Sequence, residues 1–86
     1  MEQTEDRIRP IKENLFQVTI DRLVGEARDS SLRESIKRRI CSELGITKRY
    51  TMLLNNTLQP SMKDLLTFSQ VLGVPMDSLI VLEKAV

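Results

Sequence analysis

Apolar residues along this chain recur mainly at three- and four-residue steps, the spacing that lines one face of a helix. From Ile11 the series Leu15, Phe16, Ile20, Leu23, Val24 and Ala27 predicts a first helix over 10–28, with Pro10 in its opening turn. Phe16-Gln17-Val18-Thr19-Ile20 also alternates like a strand, but no partner strand is evident and helix is preferred. Asp29-Ser30-Ser31 breaks the pattern, and Ser31 with Glu34 has the form of a capping box. A second helix then runs to Leu44, with Leu32, Ile36, Ile40, Cys41 and Leu44 inward. Gly45 ends it, Thr47 is placed to cap a third helix over about 47–55, and Tyr50, Leu53 and Leu54 face inward. After a loop at Asn55–Pro60, Ser61 and Asp64 open a fourth helix whose inward set is Met62, Leu65, Leu66, Phe68, Val71 and Leu72. Gly73 ends that helix, and Pro75 opens a fifth, from Met76 to about Lys84. The expectation is a compact all-α, five-helix domain over 10–86 with an extended N-terminal helix, preceded by a flexible polar arm at 1–9.

Charge sharpens one segment of that pattern. Residues 1–32 carry a net −2 and residues 50–86 a net −1, whereas residues 33–49 carry +4. The near-neutral total of +1 therefore hides a local basic patch made by Arg33, Lys37, Arg38, Arg39, Lys48 and Arg49. Such a patch is the electrostatic footprint of a phosphate-binding surface, and it is also what a solvated helix face looks like. Arg38 and Arg39 have Glu34 and Glu43 nearby as surface partners, worth little energetically. Lys48 and Arg49 instead open a helix, where the macrodipole disfavours cations, and that placement points outward to an anionic partner.

Composition mostly excludes. There is no His and a single Cys41, so neither a His/Cys metal site nor a disulfide framework is expected. Only three aromatics are present, Phe16, Tyr50 and Phe68, which predicts an aliphatic core. No apolar run reaches membrane-spanning length and no signal-peptide core is seen, so a cytoplasmic protein with no membrane partner is expected. No nucleophile–base pair, Gly-rich phosphate loop or paired carboxylates suggest an enzyme, and no cofactor is expected.

The ordered set Gly45-Ile46-Thr47-Lys48-Arg49-Tyr50, Leu53-Leu54-Asn55-Asn56, Pro60-Ser61, Leu65-Leu66 and Val71-Leu72-Gly73-Val74-Pro75-Met76-Asp77-Ser78-Leu79 resembles the lambda-repressor-like (Cro- and Xre-type) helix-turn-helix family. The resemblance spans Ile36 to Ile80, about half the chain. It departs from the family in three places. The loop after the third helix is about one residue shorter, and Thr57-Leu58-Gln59 lacks the Gly-Lys-Arg common there. The second helix begins early, with Ser31–Ser35 added, and Thr51 stands where an aliphatic core residue is common. Cys41 falls at a usual small Ala, which gives it a packing role.

The resemblance implies a sequence-specific DNA-binding regulator of phage-repressor, antitoxin or mobile-element type, its third helix in the major groove. Carried over by position, the base-edge candidates are Lys48, Arg49, Met52 and Asn55, with Lys48 or Arg49 facing guanine O6 and N7. Phosphate candidates are Arg33, Lys37, Arg38 and Asn56. Family members bind duplex DNA as dimers, and Val81, Leu82, Ala85 and Val86 form a candidate apolar patch for a homodimer. The competing reading is a helical protein–protein interaction module that kept the fold without tight DNA binding, since fold alone does not fix function.

Overall fold

The computed structural model describes residues 11–82. The proposed arm at 1–9, Pro10 and the last four residues, with Ala85 and Val86 among them, lie outside that range. Strand β1 is Ile11–Asn14, followed by helix α1 at Phe16–Ala27, α2 at Ser31–Leu44, α3 at Lys48–Leu54 and α4 at Met62–Leu72. A single 3-10 turn, Met76–Leu79, leads into strand β2 at Ile80–Leu82. The fold is thus mostly helical, with four α-helices and a small two-stranded sheet among the described residues, in place of the five-helix all-α domain expected.

Both differences have one cause. β1 and β2 pair antiparallel, with Ile11 opposite Leu82, Glu13 opposite Val81 and Asn14 opposite Ile80. The two ends of the described residues meet, so the start of the expected first helix is extended, and the expected fifth helix is a 3-10 turn at Met76–Leu79 followed by the extended Ile80–Leu82. Asn14, one residue ahead of the Leu15 cap position, marks the switch: its side-chain Oδ1 accepts the Phe16 N–H at 3.0 Å and so satisfies one of the free donors at the start of α1. Leu15 N–H donates to the Leu79 carbonyl at 2.6 Å, stitching the helix start to the 3-10 turn. Ile80-Val81-Leu82 is short, apolar and mostly β-branched, which suits a strand as soon as a partner exists.

The core consists of Phe16, Ile20, Ile36, Ile40, Tyr50, Leu53, Leu65, Phe68, Leu72 and Leu79. Its centre is aromatic, against the aliphatic core expected. Phe16 and Phe68 stack face to face with centroids 3.7 Å apart, and Tyr50 lies 6.1 Å from Phe68 on a nearly parallel plane. One ring each from α1, α3 and α4 therefore ties three helices together, with aliphatic residues around them. All three aromatic residues of the chain lie in this centre. Met62 and Leu66, expected inward on α4, are exposed at 69% and 46%.

The helix ends follow local chemistry. At α4 the capping box forms as expected, with Ser61 Oγ accepting from Asp64 N–H and Asp64 Oδ2 accepting from Ser61 N–H. At α2 the Ser31–Glu34 box gives way to Asp29, whose carboxylate accepts from both the Ser31 N–H and the Ser31 hydroxyl. Gly45 takes φ 66° and closes α2, and the Ile46 N–H reaches back to the Cys41 carbonyl at 3.0 Å.

Candidate nucleic-acid interface

Helices α2 and α3 are joined by Gly45-Ile46-Thr47, and α3 is held against the core by Tyr50 and Leu53. Thr47 supplies the third helix's first carbonyl acceptor, to Tyr50 N–H, but its hydroxyl makes no capping bond. Lys48, Arg49, Thr51, Met52 and Asn55 are all exposed, as helical spacing requires once Tyr50 and Leu53 point inward. Thr51, at a position where the resembled family favours a core aliphatic, is among them, so its polar side chain meets water.

The far end of α3 closes on Asn56, which takes φ 62° without being glycine. Asn56 N–H donates to the Leu53 carbonyl at 3.3 Å and Thr57 N–H to the Met52 carbonyl at 3.0 Å, a Schellman motif with Asn in the left-handed position. Asn tolerates that conformation better than other non-glycine residues. Its exposed side chain lies along β1: Oδ1 accepts Asn14 N–H at 2.6 Å, and Nδ2 donates to the Asn14 carbonyl at 3.2 Å. The Asn56 amide thus copies a strand's pairing along the edge of β1, and its side chain is committed there rather than facing outward as a phosphate ligand.

Arg49 is also engaged. Its Nη2 donates to Asp64 Oδ2 at 2.7 Å, and the Asp64 side chain is only 2% exposed while that of Arg49 is 44% exposed. Asp64 Oδ2 therefore accepts from two groups at once, the Ser61 N–H at the start of α4 and the guanidinium of α3. Arg33 pairs with Asp21 at 2.6 Å, and this hydrogen bond holds the Asp21 carboxyl below its usual range. Arg39 pairs with Glu43 at 3.6 Å, as a surface pair within α2. Lys37, Arg38 and Lys48 are exposed and make no ion pair with any described residue. Met52 is 41% exposed, so it stands outward as expected.

Between α1, α2 and α3 lies a cleft of about 260 Å³ bordered by Gln17, Arg33, Glu34, Lys37, Tyr50 and Thr51. Tyr50 is 4% exposed, and its hydroxyl has no hydrogen-bond partner among the described residues. Burial pushes its phenol up to about 12. Because the unfolded chain ionises near pH 10, the folded state favours the neutral phenol. Stability from this source is complete below about pH 10 and drains away as pH rises towards about 12, by roughly 2–3 kcal/mol in all. Thermal melts from pH 9 to 12, with phenolate absorbance read in parallel, test this; ionisation near pH 10 in the folded chain would contradict it. Burial likewise raises the Cys41 thiol, the opposite of what an activated thiolate requires.

Of the apolar patch proposed for self-association, Val81 is half-buried in β2 and Leu82 is 42% exposed. Ala85 and Val86 fall outside the described residues. Two important polar residues escape notice in a sequence reading. Asn14 sits two residues before a buried Phe and carries a helix-start signal, but a longer apolar series overrides it. Asp64 reads as a cap and nothing more, because its cationic partner is 15 positions away. Among the described residues no cluster of His, Cys, Asp or Glu could hold a metal ion, and no helix is long and apolar enough to cross a membrane. Compared with known proteins, the chain matches no family model, no curated protein and no solved structure.

Proposed function

We propose that this domain binds duplex DNA as a small helix-turn-helix regulator, with α3 in the major groove and α2 across the backbone. The observation that carries this reading is the division of α3. Tyr50 and Leu53 are locked into the core, while Lys48, Met52 and Asn55 form an exposed row beside the free cations of α2. A helix held from behind, with a polar outer row, is the form a groove reader takes. Lys48 and Asn55 are the side chains suited to base edges, and Met52 offers an apolar contact such as a thymine methyl. Lys37, Arg38 and, once it exchanges Asp21 for a phosphate, Arg33 supply backbone contacts. Asn56 leaves that group because its side chain serves β1. A sequence-specific regulator would work as a dimer on two half-sites, for which exposed Leu82 remains the candidate contact.

Binding to random duplex DNA across a salt series tests the reading. With about three to four phosphates neutralised per domain, log K should fall against log salt with a slope of roughly −3 to −4. Lys37→Ala should lower affinity for all sequences alike and reduce that slope by about one. Absence of binding at low salt would leave the competing reading, a protein-binding module. One observation favours that alternative: Met62 and Leu66 stand one turn apart and exposed on α4.

A further inference from the structure

Arg49 occupies an unusual position for an exposed cation: one arm is fixed by a buried carboxylate and the rest of the fork is open. Its Nη2 bond to Asp64 is 2.7 Å long, and its other guanidinium N–H groups have no partner among the described residues. Asp64 cannot move to follow it. That carboxylate is 2% exposed and is held by the Ser61 N–H at 2.9 Å, within a capping box that opens an 11-residue helix packed on the core. A free surface arginine loses side-chain entropy when it binds; one held at a single point has already lost much of it. On α3, Arg49 neighbours Met52 of the outer row, three residues on.

We infer that Asp64 is a positioning residue for DNA recognition: it fixes the Arg49 guanidinium so that its open edge meets paired acceptors, guanine O6 and N7, in the major groove. This inference rests on the DNA-binding reading and adds to it. Arg49 becomes the specificity-determining cation, and Asp64 its support from a helix that touches no DNA. The chemistry favours a base over a phosphate because a planar fork held in one orientation gains most against a planar acceptor pair.

The test is selection from a random duplex pool with the wild-type chain and with Arg49→Ala, Asp64→Asn and Ser61→Ala, each checked by thermal melt. The wild-type chain should enrich a site with a guanine that Arg49→Ala no longer prefers, with affinity for that site falling about tenfold to a hundredfold. Asp64→Asn should lose preference at the same guanine, and the two changes together should cost little more than either alone. Ser61→Ala weakens the same cap without touching the guanidinium, so it should lower the melting temperature and keep the preference. If Asp64→Asn fails to fold, Asp64→Glu carries the same expectation, because it keeps the charge but shifts its position. Retention of the guanine preference in a folded Asp64 variant overturns the inference, as does a loss in Arg49→Ala that is uniform across sequences. Wild-type binding with no sequence preference overturns it while leaving the DNA reading intact. No wild-type binding at all overturns both.

Discussion

Phe68→Ala should cost about 3–5 kcal/mol and leave the domain largely unfolded at physiological temperature. Phe68 is fully buried and is the middle ring of three, stacked on Phe16 of α1 and near-parallel to Tyr50 of α3. Truncation removes the transfer free energy of the ring and opens a cavity that helices pinned at their ends cannot close. A chain of this length has about 4–13 kcal/mol of stability in total, so the loss is a large fraction of it. Phe68→Leu keeps most of the volume and should cost distinctly less. Urea denaturation followed by far-ultraviolet circular dichroism measures both. A loss below about 1 kcal/mol for Phe68→Ala would mean that the three rings do not form the centre of the core. The result matters for function as well. Tyr50 and Leu53 are the only fully inward residues of α3, and Tyr50 leans on Phe68, so the orientation of the outer row depends on this stack.

The parts legible in the sequence are those governed by neighbours in the chain. Gly45 and Gly73 end α2 and α4 in the left-handed conformation that favours glycine, and the Ser61–Asp64 box opens α4 at the residue expected. The row Lys48, Met52, Asn55 follows from helical spacing once Tyr50 is inward. The parts not legible are governed by distant partners. β1 finds β2 across almost the whole chain, and neither three- or four-residue segment carries a strand signal strong enough to stand without the other. The same holds for the site. Asn56 and Arg49 have the chemistry of phosphate and base ligands, and nothing local reveals that Asn14, 42 positions away, and Asp64, 15 positions away, already bond to them. A polar residue's availability is a tertiary property, whereas its chemistry is a sequence property. The charged patch is therefore legible in the sequence, whereas which of its side chains are free is not.

The same distinction makes Asn14→Ala the second large effect, about 2–4 kcal/mol, from a residue that composition gives no reason to notice. Asn14 is 3% exposed. Its Nδ2 donates to the Leu53 carbonyl at 2.6 Å and its Oδ1 accepts the Phe16 N–H at 3.0 Å. Truncation leaves a helix N-terminal N–H unpaired in the interior and leaves the Leu53 carbonyl with only the longer bond from Asn56 N–H, so one full desolvation cost adds to the loss of a short buried hydrogen bond. The backbone bonds from Asn14 to the Asn56 amide survive, which is why the sheet edge should persist while α1 and α3 loosen against each other. Asn14→Asp separates the two halves of the argument. It keeps the acceptor for Phe16 but replaces the donor to Leu53 with a buried negative oxygen facing a carbonyl. It should be at least as destabilising as Ala at neutral pH and recover as pH falls, because protonation restores a donor. Denaturation midpoints at pH 7 and pH 4 for the three chains decide this. A pH-independent Asn14→Asp penalty would show that the side chain does not reach Leu53. Amide exchange adds the functional link: Asn14→Ala should speed exchange along α3, since the carbonyl it releases lies in the last turn of the helix proposed to enter the groove.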